Sequence, residues 1–143
     1  MNFLSKFFSK FSSSSPSATQ TFPGIVAAKV LDVQKHPNAD RLRIIKLDIG
    51  GRVVDPVVCG AFNFGVGDMV ALALPGAKIA QNVHSQTHEP FTLEKAKIRG
   101  IESQGMICAA FELSIGPLSD KPEIMLLKAN IKPGSEFSPD MIK

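Results

Sequence analysis

The stretch KAKIRGIESQGMICAA, Lys95 to Ala110, reads as a strand, a turn and a second strand. Lys95, Lys97 and Arg99 alternate with Ala96 and Ile98, and a period of two belongs to an extended chain. The alternation assigns the three cations to one face and Ala96 and Ile98 to the other. Gly100 marks a turn, and after Gly105 the apolar run Met106-Ile107-Cys108 begins the returning strand. The run continues into AAFEL, which is expected to turn helical from Ala109 to Leu113.

Working outward, the same strand-and-turn grammar recurs. GIVAAKVLDV (24–33) is β-branched and partly alternating, KHPNADR (35–41) is dense in turn residues, and LRIIKLDIG (42–50) ends at the tight-turn pair Gly50-Gly51. RVVDPVVCG (52–60) carries Pro56, which places it at a sheet edge or a bulge. MVALALPG (69–76), FTLEKAKIRG (91–100) and EIMLLK (123–128) read as further strands, the second with alternation at Leu93, Ala96 and Ile98. AQNVHSQTHEP (80–90) is a polar surface loop. Short strands at regular turn spacing predict an all-β fold: a five-stranded barrel of the oligonucleotide-binding (OB) type, with an extra C-terminal strand and one or two short helices.

Residues 1–21 differ in composition and are read as a separate tail, the domain occupying 22–143. Phe3, Leu4, Phe7, Phe8 and Phe11 share one helical face, opposite Ser5, Lys6, Ser9 and Lys10, and a Ser-rich tether follows. Two readings stand for this segment: a helix that docks on a partner or a membrane surface, and a tail that stays unordered. The chain's 16 basic and 13 acidic residues give a net charge of +3. Removing Lys6 and Lys10 leaves 14 against 13, so only local clustering can mark a polyanion site. Cys59 and Cys108 sit among aliphatic residues without metal-ligand spacing and are expected to be reduced core thiols, an inter-strand disulfide being the lesser reading. No apolar run approaches the roughly 20 residues of a membrane span.

Catalytic chemistry finds little support. Phosphate-loop, dinucleotide and zinc-protease motifs are absent, and His84 and His88 lack a carboxylate set that would make a metal site. Cys108, among apolar neighbours, is a poor nucleophile. Binding is better served: same-face residues of a strand lie about 6.5–7 Å apart, near the spacing of phosphates along RNA. Ser103, Gln104 and the amides around Gly105 would add hydrogen-bond donors. The competing reading is a solvated strand face whose lysines discourage edge pairing.

Three ordered segments, HPNADRL (36–42), VCGAFNFGVGDMVALALPGAKI (58–79) and KIRGIESQGMICAAFELSIG (97–116), resemble the tRNA-binding OB-fold domain. That domain occurs in the bacterial phenylalanyl-tRNA synthetase β subunit, in some methionyl-tRNA synthetases and in stand-alone tRNA-binding proteins. The K-x-R-G-x-x-S-x-G-M run is its most specific part, and the VCGA-N and EL-IG pieces favour the phenylalanyl branch. The resemblance spans residues 22–140 and implies a cytoplasmic module that contacts tRNA by shape and backbone. It needs no cofactor and has no catalytic residues of its own. Its implied contacts are Asn63, Lys97, Arg99, Ser103, Gly105 and Met106; Lys95 and Gln104 join them from the strand pattern. His36, Asn38 and Asp40 match the family loop and are expected to set its turn. Missing modules make the chain a fragment or truncated relative of a phenylalanine–tRNA ligase β subunit, supporting aminoacylation by the parent enzyme. The alternatives are a homodimeric tRNA-binding or chaperone-like protein, and an assembly module that contacts synthetase subunits.

Overall fold

The computed structural model describes residues 21–143, so the amphipathic segment and its tether lie outside the described residues. Ten strands follow in chain order: β1 (Ile25–Lys35), β2 (Arg43–Asp48), β3 (Val53–Cys59), β4 (Met69–Ala73), β5 (Lys78–Ile79), β6 (Phe91–Thr92), β7 (Ala96–Ile98), β8 (Ile101–Ser103), β9 (Met106–Ile107) and β10 (Leu126–Leu127). Helix among the described residues is confined to two single 3-10 turns, Phe111–Leu113 and Pro139–Met141. The fold is all-β.

The main sheet is antiparallel, with β4–β1–β2–β3 in order and β9 and β10 both on the free side of β4. β4 is apolar throughout because it is buried on both faces, and the period of two divides its side chains. Met69, Ala71 and Ala73 join one core cluster with Ile25, Ala27, Phe22 and Phe137. Val70 and Leu72 join the other, with Val30, Ile45, Leu47, Val57 and Ile107. The sheet therefore carries a core on each face. Pro56 meets both conditions that its chemistry sets: β3 ends the sheet path, and its pairing with β2 slips between Ile45 and Leu47.

The sheet curls into a half-barrel, and the segment from Ser103 to Ile107 bridges its two sides. β9 pairs with β4 through Leu72–Ile107 and Ala73–Met106. On the other side, the Gln104 amide donates to the Pro56 carbonyl at 2.8 Å, and the Val58 amide donates to Ser103 Oγ at 2.9 Å. Gly105 sits where the backbones converge: a Cβ there would lie 2.7 Å from the Ala73 carbonyl oxygen. Only glycine permits that approach.

Residues 91–100 do not form the single strand expected. Phe91–Thr92 pairs with β5, whereas Ala96–Ile98 pairs with β8, in separate two-stranded ribbons. Leu93 causes the break: it is buried, and its amide and carbonyl bond Ala77 and Gly76, which pins the chain before it turns outward. Ala96 is exposed rather than core-facing, because β7 is the outer strand of a ribbon whose inner strand, β8, packs on β3, and only Ile98 on β7 is half-buried. Cys59 and Cys108 are free buried thiols, and burial pushes both above the ordinary thiol range, Cys108 the further.

Ser103 Oγ accepts from the buried Val58 amide while donating to the Gly105 carbonyl at 2.9 Å, so it holds the bridge on two sides. Ser103→Ala is expected to lower unfolding free energy by about 1–3 kcal/mol, the cost of stranding a buried donor. Urea denaturation measures it; an unchanged midpoint contradicts the bridging role.

Candidate nucleic-acid interface

The loop between β1 and β2, residues 36–42, begins at His36, whose side chain is 1% exposed. A buried imidazole must have both ring nitrogens satisfied. The Asn38 amide donates to Nδ1 at 3.0 Å, so Nδ1 is the acceptor. Nε2 then carries the proton and donates to the Ile98 carbonyl at 3.1 Å. These contacts fix a neutral tautomer and tie the loop to β7.

Beyond Ile98 the ribbon turns at Arg99-Gly100, with φ of 53° and 92°. Two successive left-handed residues make the turn whose twist matches a two-residue hairpin, and the second is glycine, as that geometry favours. The non-glycine Arg99 is held there reciprocally: Asn38 Nδ2 donates to its carbonyl at 3.2 Å, and its own Nη2 donates to the Asn38 carbonyl at 3.3 Å. Asp40 does not cap the loop; it forms an exposed ion pair with Lys35 at 3.6 Å, a contact of little energetic weight.

The three cations consequently do not share one strand face. Lys97 lies in β7 directly across from Glu102, and Arg99 leaves the strand alternation at the turn. Lys95 stands outside the ribbon, in a cleft with Arg52, Asp55 and Gln104. All three are exposed, and the Lys35–Asp40 contact is the only ion pair among the described residues, so their charges face solvent.

The other expected contact residues are mostly occupied internally. Ser103 is buried with its hydroxyl engaged on both sides. Gln104 spends its amide on Pro56 and its side chain on Glu102. Gly105 provides the close backbone approach, and Met106 is half-buried against the core. Asn63 clips Ile124 in both directions, Nδ2 donating to its carbonyl at 3.0 Å and Oδ1 accepting from its amide at 3.1 Å. Residue pattern alone could not separate these roles, because the deciding partners, Val58, Pro56, Ala73 and Ile124, lie far away in the chain.

Two further features escaped the sequence reading. Arg43 donates Nη2 to the carbonyls of Ala61 (3.0 Å) and Phe64 (2.9 Å), and its guanidinium lies over the rings of Phe62 and Phe64. The signal was an arginine one residue beyond a recognised motif and an F-x-F pair, neither decisive alone. Beside β3, an open apolar groove is lined by Leu42, Ile98, Met106, Phe111 and Leu118, with Glu112 in its wall. The polar loop 80–90 rests on this wall: Gln81 bonds the carbonyls of Glu112 and Phe111, and His88 packs edge-on to Phe111 at 5.1 Å.

Glu112 is buried, and its Oε1 accepts the Ala109 amide at 2.8 Å, closing the first 3-10 turn. Burial raises its carboxyl above the ordinary range despite that bond, which lowers it. The folded chain then holds the proton more tightly than the unfolded one. Stability is greatest below the ordinary carboxylate value and falls as pH rises through it toward the folded value. Glu112→Gln keeps an acceptor for Ala109 and loses the titration. Its thermal midpoint relative to the parent should therefore climb as pH rises above the ordinary carboxylate value; a constant difference contradicts the assignment.

Residues 25–136 match a family model described as "Putative tRNA binding domain". The phenylalanine–tRNA ligase beta subunit of Dechloromonas aromatica is 49% identical over 94 residues, covering 66% of this chain and 11% of that protein. The beta subunit of Wolinella succinogenes is 45% identical over 107 residues, covering 75% and 12%. The chain thus spans only a small part of the curated relatives it matches. A MetRS related protein from Pyrococcus horikoshii superposes with a TM-score of 0.57 at 16% identity, over 79% of this chain and 87% of that one. The C-terminal domain of Plasmodium vivax p43 gives 0.53 at 20% identity, over 82% and 59%. These two likenesses establish a shared fold.

Proposed function

The chain belongs to the tRNA-binding domain family, and from that membership we propose that it binds tRNA through the 36–42 loop and the β7–β8 hairpin docked against it. The observation that carries this reading is the joining of the two family motifs at one place: HPNAD and K-x-R-G meet through the His36–Ile98 and Asn38–Arg99 bonds. Lys97, Arg99 and the exposed Arg41 supply cations for phosphates around that junction, and Lys95 adds charge on the hairpin's flank. Asn63, Ser103, Gly105 and Met106 act by shaping the surface, and Gln104 by fixing the bridge.

The same reading takes the curled sheet as a five-stranded OB-type barrel. The order β4–β1–β2–β3, with Ser103–Ile107 bonded to both β4 and β3, supports it. In such a barrel the loop after the first strand borders the binding face. Contact is expected to be by backbone and shape, and the sequence likeness to β subunits supports a role in presenting tRNA-Phe to a synthetase in the cytoplasm. Among the described residues no helix is long and apolar enough to cross a membrane. A second reading, contact with a synthetase subunit, is favoured by the apolar groove beside the hairpin.

Fluorescence anisotropy with tRNA across a salt series tests the leading reading. Affinity should fall linearly with log salt, by about 0.7–0.9 in slope for each phosphate neutralised. Replacing Lys97 and Arg99 together by alanine should weaken binding and flatten the slope by about 1–2. Absence of tRNA binding at low salt, alongside salt-insensitive capture of a synthetase subunit, would replace this reading with the second.

A further inference from the structure

We propose that Phe62 is a stacking platform for an unpaired RNA base at the edge of the interface. The inference rests on the tRNA-binding reading and assigns a contact of a different kind from the phosphate-directed cations. Phe62 is 56% exposed, whereas its neighbour Phe64, two residues on, is buried. The Arg43 guanidinium carbon lies 4.7 Å from the Phe62 ring centroid and 4.6 Å from that of Phe64. The cation occupies one face of the Phe62 ring and leaves the remainder open to solvent.

The loop under the ring is already ordered. Arg43 bonds the carbonyls of Ala61 and Phe64 on either side of Phe62, and Asn63 is clipped to Ile124 through both ends of its amide. An exposed aromatic held this way loses little conformational freedom when a flat ligand lands on it. Arg43 Nε is buried without a hydrogen-bond partner, so the guanidinium is balanced by the two rings and two carbonyls. A cation fixed behind the ring suits a π-stacked heterocycle in front of it.

Arg43 pairs with Lys35 across the first hairpin and with Cys59 across the second, which sets it at the end of the sheet that carries the 36–42 loop. A Cβ at Gly60 would touch Leu42 at 3.4 Å, so the chain leading to Phe62 borders this loop at Leu42, while Arg99 grips it through Asn38. Cations and an open ring bordering the same loop are the two components of single-strand recognition, charge for the backbone and stacking for a base.

The test uses the full chain with tRNA and with a short single-stranded RNA carrying one 2-aminopurine. Phe62→Ala and Phe62→Leu should weaken tRNA binding on the order of 5- to 100-fold, with the salt slope unchanged. Phe62→Trp should restore affinity, and 2-aminopurine quenching should be present with Phe or Trp and lost with Leu. Thermal midpoints identify any variant that fails to fold; Leu, which keeps an apolar cover on Arg43, carries the conclusion in that case. Unchanged tRNA affinity in the Leu variant overturns the proposal while leaving tRNA binding intact. Loss of binding to a purified synthetase subunit with RNA affinity intact makes Phe62 a protein contact, and also overturns it. A parent chain that binds neither RNA removes this proposal and the tRNA reading together.

Discussion

One neutral imidazole, His36, holds together residues that the chain separates by 62 positions. Burying a polar ring costs free energy unless both nitrogens are satisfied, and here each satisfying partner is a backbone group whose position matters. The Asn38 amide fixes the path of the first loop, and the Ile98 carbonyl fixes where the β7–β8 ribbon leaves the sheet. Once these are set, Asn38 and Arg99 face each other and exchange bonds, stabilising a left-handed arginine that would be disfavoured alone. The junction is therefore built on backbone contacts, and among the described residues neither Lys97 nor Arg99 is paired with an acidic side chain.

The same economy appears at the bridge. Ser103 and Gln104 resemble surface donors when read as letters, yet they tie β3 to a segment that pairs with β4. Gly105 brings the two backbones within reach because it has no side chain to interpose. A family motif can thus preserve a binding surface without touching the ligand. Of the K-x-R-G-x-x-S-x-G-M run, Lys97 and Arg99 present positive charge to solvent and Glu102 a negative one, whereas Ser103 and Gly105 build the frame.

Legibility followed the range of the interactions. β1 to β4 stood out because continuous or alternating burial leaves a local pattern, and Pro56 announced an edge or a bulge through its missing donor. The alternation at Lys95, Lys97 and Arg99 was equally visible but misled, since extension past Lys97 depends on Asn38 and extension before Lys95 on Ala77. The clip from Asn63 to Ile124 and the stack of Arg43 on Phe62 lie still further from local pattern. The helical segment after Cys108 was anticipated in place, but Ser114 turns left-handed and ends it after a single 3-10 turn.

The proposed tRNA surface joins the first loop, the β7–β8 hairpin and the Phe62 loop. Amide chemical shifts of the isotope-labelled chain, followed while tRNA is added, test it most directly. Perturbations should concentrate in residues 36–42, 61–66 and 95–103, with the opposite end of the sheet around Gly50 and Gly134 unaffected. Shifts centred on that opposite end, or along the apolar groove without the 36–42 loop, would contradict it.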